Sequence, residues 1–215
     1  MSWFNLDPPS IAARVRASSG PRPIPSLGAS LFCGAIGFTL VSVAGFVPWA
    51  VFGRTLYRAI GEAGLYAVCA LIFIGLSGLL LHRLIIGPGS LSRFYKLFTA
   101  TFVVYSIAWI GGFMTLRGHI GGLIGLFVGT ALMGWMLTRA FDAHGSLVKV
   151  VAALFIPNSV GYFVGGWIEA LLYGSMPLAA KLMWGVCYGL GFGAGLGLAF
   201  YLCQARARAL LATNP

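Results

Sequence analysis

Asn158, Ser159, Tyr162 and Glu169 stand within one long apolar stretch, where polar side chains are few and each one has to be explained. A charged carboxylate is costly to place inside a membrane, so Glu169, the sole acidic residue within any apolar run, is a candidate for solute or ion coupling. Asn158 supplies amide donors and an acceptor. It lies on one helical face with Gly161, Gly165 and Glu169, at i, i+3, i+7 and i+11. Pro157 removes the hydrogen bond to the carbonyl of Ala153, and Asn158 and Ser159 can rebind locally, which predicts a broken helix here. Interrupted helices in a bilayer mark transport sites because freed backbone groups must meet protein, water or substrate. Tyr105 and Ser106 join the expected substrate-binding set of Asn158, Ser159, Tyr162 and Glu169 as midplane polar groups. Glu169 also has a structural reading, an ion pair with Lys181 across a short Gly-Ser-Met-Pro turn.

The elements that must carry these residues follow from composition. Hydrophobic residues form 59% of the 215-residue chain and charged residues 8%, with mean hydropathy +0.92. A soluble domain carries about 25% charged residues, so the chain reads as an all-α polytopic integral membrane protein. Six apolar runs are long enough to span: Leu27 to Phe52, Ala63 to Leu81, Leu97 to Leu116, Ile120 to Thr138, Leu147 to Tyr173 and Leu178 to Cys203. Arg117, Gly118 and His119 predict a tight hairpin between the third and fourth. Residues 1–26, with Pro8, Pro9, Pro21, Pro23, Pro25, Arg14, Arg16 and Arg22, read as a leader at the membrane surface and not as a cleaved signal. Residues 27–203 then form the membrane domain and 204–215 a short basic tail.

With the N-terminus in the cytoplasm, Arg14, Arg16, Arg22, Arg83, Arg93, Lys96, Arg139, Lys149, Arg206 and Arg208 fall inside. Arg54, Arg58, Arg117 and Lys181 fall outside. Ten against four predicts both termini in the cytoplasm and residence in the cell (plasma or inner) membrane.

Glycine recurs every fourth residue at Gly185, Gly189, Gly193 and Gly197, at Gly121, Gly125 and Gly129, and at Gly161 and Gly165. Such rows let helix backbones approach closely, and they predict a tightly packed, Gly-rich bundle. The row from Gly185 is expected to lie beside the broken fifth helix, aligned by the Glu169–Lys181 pair.

Other chemistries lack players. The formal charge of +10 is spread between apolar blocks with no basic face, which excludes nucleic acid as a partner. Cys33, Cys69, Cys187 and Cys203 occur singly, and no metal-ligand spacing is present. A cytoplasmic acid/base or metal site from His82, Asp142 and His144 is a minor reading, and no phosphate loop or dinucleotide fingerprint occurs. Arg58 and Glu62 are spaced to pair on a helix surface.

The leading expectation is a small membrane transport protein: a channel, a carrier or the substrate-binding membrane component of a transporter, acting on a small solute. It is expected to be no enzyme, to need no cofactor, to bind membrane lipid, and to form a homo-oligomer or join other membrane subunits. The main alternative is a non-catalytic subunit of an energy-transducing or pigment- or lipid-binding complex, with pigment as its cofactor. A lipid-modifying enzyme using Arg54, Arg58, Arg117 or the inner His and Asp residues ranks third.

Overall fold

The computed structural model describes residues 4–19 and 24–213; Pro21, Arg22 and Pro23 lie outside them. Within the described residues the chain is helical throughout, with no strand. Helix α1 (Pro8–Arg16) is followed by α2 (Leu27–Leu81), α3 (Ser90–Leu116), α4 (Gly118–Ala140), α5 (Leu147–Leu172), α6 (Pro177–Cys203) and α7 (Ala205–Thr213). Five of these, α2 to α6, are long and apolar enough to cross a membrane, which makes this a polytopic helical membrane protein.

Helix α2 carries both of the first two apolar runs. At Gly61 its backbone turns to φ 70° and ψ −179°, a conformation glycine adopts without a Cβ penalty. The two arms, residues 27–60 and 62–81, fold back on each other: Phe38 stacks on Phe73 with centroids 5.7 Å apart, and Phe73 also packs on Gly45. The sharp interruption that the sequence placed at Pro157 is here instead.

Helix α5 is continuous through Pro157, which corrects the expectation of a broken fifth helix. The proline costs one backbone hydrogen bond, and α6 covers the gap. A Cβ on Gly195 would stand 2.7 Å from the Ala153 oxygen, the acceptor that Pro157 leaves free, so the α6 backbone lies directly against it. That packing shields the carbonyl from lipid, and the helix continues past the proline.

Successive helices run antiparallel. Gly112 meets Gly125 and Tyr105 meets Gly129 across α3 and α4; Gly122 meets Tyr162 and Gly134 meets Val151 across α4 and α5. Pro157 meets Gly191 and Ala153 meets Gly195 across α5 and α6, while Gly34 meets Gly193 and Thr39 meets Gly189 across the first arm of α2 and α6. Tyr95 closes the remaining seam, donating to the Gly75 oxygen at 2.6 Å. Six helical segments therefore form a closed ring in chain order, the last packed on the first. The expected hairpin at Arg117 is present, turned by two consecutive positive-φ residues, Arg117 (φ 55°, ψ 167°) and Gly118 (φ 58°).

The ring is filled by side chains. Phe38, Phe98, Phe192, Leu126 and Met133 are fully buried, and Phe94, Phe98 and Phe102 stack in series along α3 at 5.2 and 5.1 Å. At the end carrying α1 and α7, Gln204 is buried and ties the 84–86 connection to α6: its Nε2 donates to the oxygens of Leu84 (2.8 Å) and Phe200 (2.9 Å), and its Oε1 accepts from Ile86 N (2.9 Å). Helix α1, capped by Asp7 accepting from Ser10 N, buries Ile11 and Ala12 against this end, and Arg16 donates to the Leu210 oxygen of α7 at 3.0 Å. Burial, reinforced by the nearby Arg93, lowers the pKa of Arg14, and Asp7 opposes the shift.

Candidate functional site

Three polar side chains meet in the aromatic filling of the ring. Asn158 of α5 donates through Nδ2 to the hydroxyl of Tyr105 on α3 at 3.0 Å. Tyr105 shares a second hydrogen bond, at 3.2 Å, with the hydroxyl of Tyr188 on α6. All three residues are buried, Asn158 completely. Asn158 Oδ1 has no hydrogen-bond partner, and neither does the buried Oγ of its neighbour Ser159. An unpaired buried acceptor costs about 1–3 kcal/mol, so this atom is either a penalty or a place for a donor from elsewhere. Phe192 fixes the two phenols by stacking on Tyr105 at 5.0 Å and on Tyr188 at 5.7 Å.

The location has a topological meaning. The arms of α2 with α3 make one set of three antiparallel segments, and α4, α5 and α6 make a second set running in the opposite sense. Tyr105 on α3 and Tyr188 on α6 come from opposite sides of the ring, so their contact spans its centre and joins the two sets.

The other expected site residues go elsewhere. Tyr162, one turn from Asn158, packs its ring against Trp109 (6.0 Å) and Trp184 (5.5 Å), and its backbone oxygen accepts from Trp184 Nε1 at 3.1 Å. Ser106, adjacent to Tyr105 in sequence, points about 100° away around the helix and lines an outer groove with Glu62, Tyr66 and Ile107. Glu169 is half-buried near the end of α5 and forms no ion pair with Lys181, which corrects the expected staple; both ion pairs among the described residues are on Asp142. Lys181 Nζ instead lies 4.5 Å from the Trp49 ring centroid and 6.0 Å from that of Tyr173. An aromatic face holds the ammonium without drawing a carboxylate out of its own hydration.

The glycine row from Gly185 finds a different partner from the one expected. Gly185, Gly189, Gly193 and Gly197 face the first arm of α2, where a Cβ on Gly189 would stand 2.6 Å from Thr39 Cα. A second row on α6, Cys187, Gly191 and Gly195, meets α5 at Gly161, Pro157 and Ala153, while Gly165 lies under Trp184. Gly121, Gly125 and Gly129 face α3. Tyr188 was hidden within the first row, between Gly185 and Gly189, and the four-residue spacing of the second row was there to be read in the sequence.

At the terminal end, Asp142 takes a left-handed φ of 51° and joins His144 (3.7 Å) and Arg206 (3.2 Å) beside a cavity of about 210 Å³. His82 is not part of this cluster; its Nδ1 pairs with the Ser90 hydroxyl at 2.9 Å. Among the described residues no three His, Cys, Asp or Glu side chains converge as a metal site. Arg58 and Glu62 also form no ion pair, since Gly61 breaks the helix between them. Arg208 lies 3.5 Å over the Tyr201 ring; burial lowers its pKa and Tyr201 opposes the shift. Comparison with protein-family models, curated proteins and solved structures finds no match to this chain.

Proposed function

We propose that the protein is a small integral-membrane transport protein that binds a small, uncharged polar solute at Asn158, Tyr105 and Tyr188. The carrying observation is the buried Asn158 amide, whose Oδ1 has no partner although its Nδ2 is engaged. A solute donor bonded to Oδ1, with the phenols as further donors or acceptors, would remove that deficit. The aromatic filling fits a gated carrier in preference to an open pore, because Phe38 and Phe192 close the centre in this conformation.

In this reading the fold-back at Gly61 makes two crossings of α2, giving six in all. The excess of Lys and Arg at the end holding α1 and α7 supports a cell-membrane protein with both termini in the cytoplasm. No cofactor and no catalytic step are required.

The test is a panel of small amides, polyols and urea-like solutes scored by thermal stabilisation of the purified protein and by uptake into proteoliposomes. Asn158→Leu and Tyr188→Phe should abolish stabilisation and uptake while both variants stay folded. Uptake and stabilisation that persist in Asn158→Leu would refute the site.

The loosely closed seam between the second arm of α2 and α3 favours a second reading, a non-catalytic subunit of a membrane complex with a partner helix against that seam. Extraction in mild detergent as a defined assembly with another polypeptide, without solute-dependent stabilisation, would select it.

A further inference from the structure

The seam between residues 62–81 and α3 differs from the α5–α6 seam. Glycine backbones press α5 and α6 together, whereas here the helices part and leave a groove of about 440 Å³. Its walls are Ala63, Ala67 and Ala70 on one side and Val103, Ile107 and Ile110 on the other. Glu62 and Tyr66 stand toward one end of the groove, and the Tyr66 hydroxyl donates to Glu62 Oε1 at 3.5 Å. That end is the one at the Gly61 turn, where the chain leaves the apolar segment.

We infer that this groove binds one acyl chain of an amine-headed phospholipid, such as phosphatidylethanolamine, with the lipid ammonium at Glu62. Length supports a single chain. From Glu62 to Ala70 the wall rises about 12 Å and from Phe102 to Met114 about 18 Å, at about 1.5 Å per residue. Half of a hydrocarbon core of about 30 Å lies between these values, so the groove matches the depth of one leaflet and begins at headgroup level. Charge supports the head. Glu62 is exposed and in no ion pair among the described residues, and Arg117 lies three positions beyond Met114, at the same end of the facing helix. A carboxylate on one wall and a guanidinium at the end of the other complement an ammonium and a phosphate, and a charge-assisted hydrogen bond to the carboxylate favours a primary ammonium over a quaternary one. An anionic head without an amine would face Glu62 with like charge. The small residues on the α2 wall give an acyl chain room that Leu or Phe would fill.

The experiment uses the full chain in nanodiscs containing phosphatidylethanolamine, phosphatidylcholine or phosphatidylglycerol, each bearing a photoreactive group midway along one acyl chain, with adducts mapped by mass spectrometry. Phosphatidylethanolamine should label the peptide containing Val103, Ile107 and Ile110 about tenfold more than phosphatidylglycerol does. E62Q should bring that ratio to about one, without changing the thermal midpoint, because Glu62 is exposed. A67W should suppress labelling of that peptide with every lipid, and V103W on the facing wall is the second filling variant should A67W fail to fold. Labelling spread evenly over the exposed faces of α4 and α5, equal labelling by the three headgroups, adducts unchanged in the filling variants, or a polypeptide cross-linked in the groove would each overturn the assignment.

Discussion

Gly191→Ala probes the contact on which the α5–α6 seam depends. A Cβ at this position would fall on the Pro157 carbonyl oxygen, 3.0 Å from the Pro157 carbonyl carbon and 3.1 Å from Gly161 Cα. Ordinary carbon contacts sit at about 3.5–4.0 Å, so the two backbones have to separate by about 0.5–1 Å, which forfeits a quarter to a half of each pair attraction across the gap. Overpacking of this kind costs about 1–3 kcal/mol. Alanine also raises helix propensity, by about 0.8–1.0 kcal/mol in water, and that gain must be removed from the comparison. Gly166→Ala does so: a Cβ there meets nothing within 4 Å, and the site lies on the partner helix of the same seam. The difference between the variants isolates the overpacking, about 1–3 kcal/mol, or about 2–4 °C of thermal midpoint per kcal/mol for a chain of this size. Both variants would be melted side by side in one detergent, following helicity and the fluorescence of the tryptophans, of which Trp184 bridges this seam to Tyr162. A Gly191→Ala protein as stable as Gly166→Ala, or more stable, would refute the close-packed seam.

Two further expectations follow from side-chain partners. Gln204→Leu strands the Ile86 amide and the Leu84 oxygen without a side-chain partner; at about 1–3 kcal/mol for each buried group left unpaired, it should lower stability by about 3 kcal/mol, and hydrogen exchange at residues 85–89 should accelerate ahead of the rest of the chain. Lys181→Gln should cost about 0.5–1 kcal/mol through loss of the Trp49 contact, while Glu169→Gln leaves the thermal midpoint unchanged. Equal losses in the two variants would restore the ion pair that the geometry lacks.

Much of the architecture was legible because a bilayer leaves a backbone few options. Apolar runs of about 20 residues in a chain with so few charges have to be helices, and Arg-Gly-His between two of them marked a turn that is present. Pro157 misled for a physical reason: proline removes one hydrogen bond locally, but whether a helix opens there depends on what packs over the orphaned carbonyl, and Gly195 is contributed by a helix about 40 positions away in sequence. Gly61 was the reverse case, a single glycine beside charged residues whose positive φ became visible only in the fold. Asn158 and Tyr105 were found by their rarity in apolar surroundings. Tyr188 was missed because its neighbours' glycine period dominated that segment, and phenols are common enough in membrane helices to draw no notice alone. Charge spacing also failed at Glu169 and Lys181, where similar depth on neighbouring helices did not set side-chain direction, and the ammonium settled on an indole.

Helix α6 wears glycine on two sides, and this has a consequence for how the chain comes to be assembled. Gly34 and Gly193, which touch, are 159 positions apart, so the first arm of α2 leaves the ribosome long before α6 and has to wait for it before its bare face is covered. Until then that face is open to lipid, and every intervening helix inserts beside an incomplete neighbour. Closing so long a loop is slow, and a chain cut short before α6 would leave both the first arm of α2 and α5 with backbone grooves that, among the described residues, α6 covers. Such truncated chains would be prime substrates for membrane quality control, and closure by the last helix is the step at which the ring becomes a finished object.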